Sequence, residues 1–339
     1  MNKRILVTGG AGFIGSNFIP YFLSKHQDTH IVNLDKLTYA GNLDNLAEIN
    51  NHPRYTFEHG DICDQKLMEQ LFQKNRFQSI IHFAAESHVD NSIHGPRAFV
   101  ETNITGTFTL LEVARSFWME GPHQCKLEYK SHRFHHISTD EVYGTLGTEG
   151  LFRESTPYAP NSPYSASKAS SDFLVRSYFH TYGMNVITTN CSNNYGPKQH
   201  DEKLIPVIIR KAINEEKIPI YGDGSNIRDW LYVEDHCRGI ELAYKKGKVG
   251  ETYNIGCNNE RTNNYIAIKI CEFLDHKRPR SNKESYKKLI SYVQDRPGHD
   301  LRYAIDASKI ENELGWKAKE NFESGIERTV DWYLQKYTS

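Results

Sequence analysis

The segment Thr8-Gly9-Gly10-Ala11-Gly12-Phe13-Ile14-Gly15 constrains the fold more than anything else in the chain. It follows the apolar run Ile5-Leu6-Val7 directly and opens a stretch with helical apolar spacing. Gly9, Gly12 and Gly15 satisfy Gly-x-x-Gly-x-x-Gly, and Gly10, Gly12 and Gly15 satisfy the stricter Gly-x-Gly-x-x-Gly. A chain that turns sharply without Cβ atoms lets its amides, and then a helix N-terminus, approach a pyrophosphate. Alone, such a run reads equally well as a glycine-rich turn. Asp35 changes the balance, because it closes the next apolar run, His30-Ile31-Val32-Asn33-Leu34, about twenty residues past Gly15. A carboxylate there accepts hydrogen bonds from adenosine ribose hydroxyls and repels a 2′-phosphate, which predicts NAD rather than NADP; Lys36 beside it works against that preference. Asp61, after the third run, fits an adenine contact or a turn cap. No Gly-Lys-Ser/Thr follows the glycines, which excludes a Walker P-loop.

The rest of the first half alternates in the same way. Strands are predicted over 4–8, 30–34, 55–58, 79–83, 134–138 and 185–189, with helices over 12–25, 65–74, 97–118 and 165–182 between them. Strand, helix, strand in succession implies right-handed crossovers and a parallel sheet covered on both faces, a doubly wound Rossmann α/β fold. After Ser192 the elements shorten and Gly, Pro and Asn punctuate them. Residues 1–191 are therefore predicted as a dinucleotide-binding domain. Residues 192–339 are predicted as mainly a smaller ligand-binding lobe on the sheet's carboxyl edge, from which the chain is free to cross back to the sheet. Lys and Arg number 41 against 42 Asp and Glu, so no basic surplus marks a nucleic-acid footprint. Neither a secretory signal nor a bilayer-spanning run is legible, and the six cysteines are scattered without a Cys-x-x-Cys pair, so a reduced, cytoplasmic setting is expected. His132, His135 and His136 are crowded, but adjacent strand residues point to opposite faces, and no metal is expected.

Two clusters carry chemistry. Tyr164 and Lys168 lie four apart in a helical stretch and share a face, so a lysine cation favours the phenolate and suits Tyr164 to act as a base. By itself Tyr-x-x-x-Lys is common, and an amphipathic helix with an exposed lysine gives the same pattern. Upstream, Ser138-Thr139-Asp140-Glu141 ends the fifth strand, where ligands bind in open α/β sheets. A hydroxyl and two acids at that place look catalytic in this context, although an isolated triplet reads as a polar loop.

The chain resembles the extended short-chain dehydrogenase/reductase family over nearly its whole length, and within it the sugar-nucleotide dehydratase branch. The residues that carry the resemblance are the glycine run, Ala84–Asp90, Ser138–Gly144, Tyr164 with Lys168, Ser192–Pro197, Arg228–Asp235 and Asp295-Arg296-Pro297-Gly298-His299-Asp300. Thr-Asp-Glu together with Asp-Arg-Pro-Gly-His-Asp is specific to that branch, whereas the glycines and Tyr-x-x-x-Lys are shared family-wide. Asn91 stands where relatives usually have Arg and Cys257 where Gly is usual; the sequence stops at Ser339, while some members carry a longer tail that touches the nucleotide, which puts one base contact in doubt.

The resemblance implies an NAD-dependent lyase acting on a nucleotide-diphosphate hexose, dTDP-glucose foremost. Tyr164 would remove the 4-hydroxyl proton as C4 gives its hydride to the cofactor, with Thr139 orienting the hydroxyl and Lys168 lowering the phenol pKa. Glu141 would then take the C5 proton while protonated Asp140 gives one to the departing 6-hydroxyl. Hydride return to C6 and reprotonation of C5 leave a 4-keto-6-deoxy sugar, a precursor in deoxysugar biosynthesis of the rhamnose type. Two adjacent acids suit those opposite roles because like charges in one cleft push their pKa values apart. By motif position, Gly9, Gly12, Phe13, Ile14, Gly15, Asp35, Lys36, Thr38, Asp61, Ile62, Ala84, Ala85, Thr102 and Asn194 would hold NAD with Tyr164 and Lys168. Ser87, His88, Thr139, Asn193, Lys203, Leu204, Pro219, Tyr221, Arg228, Asn259, Arg296 and His299 would hold substrate, the two arginines on the diphosphate. For Tyr221 and Asn259, packing or turn formation explains the residue nearly as well. A homodimer is implied through helices 97–118 and 165–182. The rival readings are a 4-epimerase on the same scaffold, which needs no acid pair for elimination, and an NAD-binding redox sensor, which has no use for Tyr164, Lys168 and two acids together.

Overall fold

The computed structural model describes residues 3–295 and 299–338. Seven strands form one parallel sheet in the order Thr252–Ile255, Val186–Cys191, Arg133–Thr139, Ser79–His82, Lys3–Thr8, Thr29–Asp35, Tyr55–His59. Side chains alternate across it. Ile5 and Val7 join Ile31, Ile81, Ile137, Ile187 and Ile255 on one face, against Phe18 and Phe22 of helix Phe13–Lys25 and Ile240 of helix Val233–Lys246. Leu6, Val32, Ile80, Phe134 and Val186 pack on the other, against helices Gln65–Asn75, Thr107–Trp118 and Pro163–Tyr182. Burial on both faces explains why these strands read as continuous apolar runs.

The six predicted strands are present, each shifted by no more than its end residues, and the seventh lies in the stretch read as irregular. Thr252–Ile255 pairs in parallel with Val186–Cys191, so the chain does cross back to the sheet. Its crossover is helix Val233–Lys246, and both follow a loop-rich segment that hides the strand–helix period. The predicted helix 97–118 is also not uniform. Pro96–Phe99 leads into a π-helical stretch, Val100–Gly106, before α-helix resumes at Thr107. Asn103 in that wider turn donates to Glu86 O (3.0 Å) and Ser167 Oγ (2.8 Å), and accepts from Glu86 N (2.8 Å), which ties the helix to the cleft wall.

Pro20 lies inside helix Phe13–Lys25, where it removes the amide that would serve Ser16 O. Lys198 Nζ reaches that carbonyl at 3.2 Å and also pairs with Glu48 at 2.8 Å. A third apolar cluster holds the later lobe together, with Ile205, Ile209, Ile218, Trp230, Ile266, Ile270, Phe322 and Val330 among its members. Strand order reverses between Lys3–Thr8 and Ser79–His82, which opens a crevice at their carboxyl ends.

Candidate active site

At the end of the first strand the backbone turns through Gly9 at φ +73°, and Gly9 N donates to Leu34 O at 2.9 Å. A Cβ on Gly9 would stand 2.5 Å from Ala84 N, and one on Gly15 would stand 2.6 Å from Gly10 Cα. The glycines are therefore fixed by close backbone approach. Gly12 caps helix Phe13–Lys25 without a side-chain bond, which leaves the first helical amides available to an anion in the crevice. Asp35 ends the second strand with Oδ2 accepting from Ala11 N and Oδ1 from Leu37 N, both at 2.9 Å. Burial raises its carboxyl and the two amides oppose that rise. Asp61 accepts from Cys63 N at 2.9 Å and pairs with Lys36 Nζ at 2.7 Å, so it has the turn role and still lines the crevice. Lys36 is thereby tied to a carboxylate on the crevice wall.

Strand Arg133–Thr139 delivers the reactive end. Thr139 Oγ1 accepts from Glu141 N at 3.3 Å and so caps the short turn Asp140–Tyr143. Asp140 is buried, and its Oδ2 has no hydrogen-bond partner among the described residues. Burial, then the charges of Glu141 and Asp229, hold its carboxyl well above the usual carboxylate range, with Arg228 pulling the other way. That shift favours the protonated form of Asp140, the form suited to act as an acid at the cleft wall. Helix Pro163–Tyr182 starts with a Ser162/Ser165 capping box and presents Tyr164 and Lys168 to the same cleft. Burial and the Glu141 charge push the Tyr164 phenol well above its ordinary value, and a bond from Thr139 opposes this. Lys168 Nζ donates to Ile137 O at 2.8 Å and lies 3.4 Å from His136 Nε2, and burial lowers its ammonium to about 8.

One continuous cleft brings these groups together. Every residue predicted to hold the cofactor lines it, as do Thr139, Asp140, Glu141, Ser87, Asn193 and Lys203. Its polar cradle, glycine turn and Asp35 carboxylate fit a dinucleotide. His88, Leu204, Pro219, Tyr221, Arg228, Asn259 and His299 do not line it. His88 Nδ1 accepts from Asn91 N at 3.3 Å and caps helix Val89–His94. Leu204 opens helix Leu204–Ile213, and Pro219 and Tyr221 lie on strand Ile218–Tyr221, paired with Ile290–Val293. Arg228 is buried, donates to Ile227 O (2.7 Å) and Asp300 O (2.9 Å), and stacks over Tyr303 at 4.3 Å. Asn259 N donates to Asp229 Oδ1 at 2.7 Å, and His299 Nδ1 pairs with Asp295 at 2.6 Å. Arg296 lies outside the described residues. Glu86, Cys191 and Ser192 also line the cleft, and each lies in or beside one of the sequence motifs. Gln199, His200 and Glu202 line it too, and no local pattern marks them. His132, His135 and His136 each take different partners: Asn185 N, Thr189 Oγ1 and Asp172.

The profile of the family described as GDP-mannose 4,6 dehydratase matches residues 6–329. The dTDP-glucose 4,6-dehydratase of Shigella flexneri is 56% identical over 340 residues, covering 98% of this chain and 92% of that one. The crystal structure of a dTDP-glucose 4,6-dehydratase from Streptomyces venezuelae, with NAD and dTDP bound, superposes with a TM-score of 0.88 at 44% identity, covering 99% of this chain and 98% of that one. A UDP-glucose 4-epimerase from Thermotoga maritima with UDP-glucose shares the fold at a TM-score of 0.85 but only 28% identity, covering 98% and 99% of the two chains. Matched by that profile over most of its length, the chain belongs to the GDP-mannose 4,6 dehydratase family, a branch of the extended short-chain dehydrogenases, and stands within it beside the dTDP-glucose 4,6-dehydratases.

Proposed function

We propose that this enzyme is an NAD-dependent hydro-lyase that converts dTDP-glucose to its 4-keto-6-deoxy product. The observation that carries the reading is the buried Asp140 carboxyl beside Glu141 and Tyr164, in the cleft that also holds Asp35 and the glycine turn. Bound NAD supplies the hydride acceptor and, through its nicotinium charge, a field that favours the Tyr164 phenolate. Tyr164 takes the 4-hydroxyl proton, and Thr139 orients that hydroxyl. Lys168 adds positive charge from the next helical turn. Glu141 removes the C5 proton once C4 is a ketone, and Asp140 protonates the departing 6-hydroxyl. An epimerase needs no such acid pair, and the lower identity to the epimerase also favours dehydration.

Residues 1–191 form the NAD-binding part and 192–339 mainly the sugar-nucleotide part, with Asn193 and Lys203 reaching the cleft from the latter. By motif position, Arg228, Arg296, Tyr221, Asn259 and His299 serve the nucleotide end of the substrate. Among the described residues no helix is long and apolar enough to cross a membrane; the enzyme works in the cytoplasm, in deoxysugar synthesis of the rhamnose type. It is a homodimer through the face of helices Thr107–Trp118 and Pro163–Tyr182, where Phe108 is 46% and Phe173 57% exposed. Incubation with dTDP-, UDP-, CDP- and GDP-hexoses followed by mass spectrometry tests the function. Loss of water from dTDP-glucose is expected; a mass-neutral change at C4 alone would establish the epimerase instead.

A further inference from the structure

Behind the cleft lies a buried polar group that the reaction steps above do not use. Asp172 follows Lys168 by four residues on helix Pro163–Tyr182, so the two side chains share a face, and each is 4% exposed. Asp172 Oδ2 accepts from Ser138 Oγ and Tyr158 OH, both at 2.9 Å, and Tyr158 OH accepts from Asn190 Nδ2 at 3.1 Å. Asp172 Oδ1 lies 3.1 Å from His136 Nε2, and the same ring nitrogen lies 3.4 Å from Lys168 Nζ. His136 is fully buried against both groups, and its Nε2 contacts Lys168 Nζ; Asp172 Oδ1, like His136 Nδ1, has no hydrogen-bond partner among the described residues.

Packing alone does not call for a carboxylate here. Burying an ion costs several kcal/mol, and well-packed apolar replacements of buried ion pairs are often neutral or stabilising. What a carboxylate does at this place, and an apolar side chain cannot, is oppose the loss of the Lys168 proton. Burial lowers Lys168 to about 8, and the Asp172 charge is the first influence against that fall. Burial raises Asp172 to about 6, and the Lys168 charge and the Ser138 and Tyr158 bonds resist it. The other titratable groups around the pair are kept neutral, mainly by burial: His136 and His82 are held well below their ordinary range, and Tyr143, Tyr158 and Cys191 above theirs. The negative charge on this side of Lys168 is therefore that of Asp172.

We propose that Asp172, fixed by Ser138 and Tyr158 on the helix face it shares with Lys168, keeps that lysine charged one helical turn from Tyr164, and so is a positioning residue for oxidation at C4. It touches neither sugar nor cofactor, and the inference rests on the reading of Tyr164 as the base. With less positive charge near it the phenol gives up its proton at higher pH, and each unit of that rise is tenfold in phenolate below both values.

Asp172→Asn keeps the side-chain shape and removes the charge. At neutral pH its kcat should fall about tenfold or more with KM for dTDP-glucose unchanged. The acid limb of kcat should move up by about one pH unit, so that activity recovers towards the parent's as pH rises. Tyr158→Phe removes one donor to Asp172, and should move the same limb in the same direction by less; it serves as the test where Asp172→Asn does not fold. An active, folded Asp172→Asn enzyme with an unmoved acid limb overturns the proposal, as does a lowered melting temperature with unchanged kcat. Parent enzyme without turnover, or Tyr164→Phe with retained activity, would instead overturn the assignment of the base.

Discussion

Glu141→Gln separates the two halves of the reaction, and the structure gives the sign of its effect on each. Elimination loses its base, and general base assistance is worth about 10²–10⁴-fold, or about 3–5 kcal/mol. Oxidation should respond in the opposite sense. After burial, the Glu141 charge is the leading reason that Tyr164 sits above its ordinary range. Without that charge the phenol ionises at lower pH, so formation of the 4-ketone should extend further into acid in the variant than in the parent. Asp140 is held up by the same charge, and its own rise should shrink as well. Single-turnover absorbance in the near ultraviolet, followed across the neutral range with dTDP-glucose, reads the oxidation step; deuterium uptake at C5 reads the proton abstraction. The variant should accumulate reduced cofactor, lose C5 exchange, and show an acid limb for reduction below that of the parent. Near-normal dehydration, or no reduction at any pH, refutes the role given to Glu141. An acid limb displaced upwards refutes the electrostatic argument alone.

Three further outcomes are expected. Gly9→Ala places a Cβ 2.5 Å from Ala84 N at φ +73°, so thermal denaturation should show a loss of about 2–5 kcal/mol, the left-handed penalty plus overpacking. Asp35→Ala releases the amides of Ala11 and Leu37 and the carboxylate offered to the ribose; titration calorimetry should find NAD binding weakened by about 1.5–3 kcal/mol per lost charged hydrogen bond, with discrimination against NADP relaxed. Phe173→Asp puts a charge on the exposed face of helix Pro163–Tyr182, and light scattering should move from dimer to monomer with the chemistry of each cleft intact; a parent that is monomeric at micromolar concentration refutes the dimer.

The amino-acid sequence by itself determined the sheet's first half and marked the Thr139-Asp140-Glu141 and Tyr164/Lys168 clusters that the cleft brings together, because both signals are local. Alternating apolar runs and helical spacing placed strands 4–8, 30–34 and 134–138 within an end residue or two of the observed ones, since burial on both faces leaves an uninterrupted signature. Glycines needed by a turn and an acid at the next strand's end recur at fixed distances along the chain, so Gly9 and Asp35 are legible from residue spacing alone. Interactions between distant segments left no such mark. The return of Thr252–Ile255 to the sheet depends on an open parallel edge at Val186–Cys191, and the π-helical turn around Asn103 depends on partners at Glu86 and Ser167. The placing of Arg228 against the 300–301 backbone, behind the cleft wall but near enough to act on Asp140, was likewise settled by folding. So was the upward push on the Asp140 carboxyl: the sequence shows two adjacent acids, but the rise follows from the burial of Asp140 and from the charges of Glu141 and of Asp229, which strand Ile227–Tyr232 brings near. Asp172 and His136 met for the same reason. A charge's effect depends on its distance and its desolvation, and only the tertiary structure sets either.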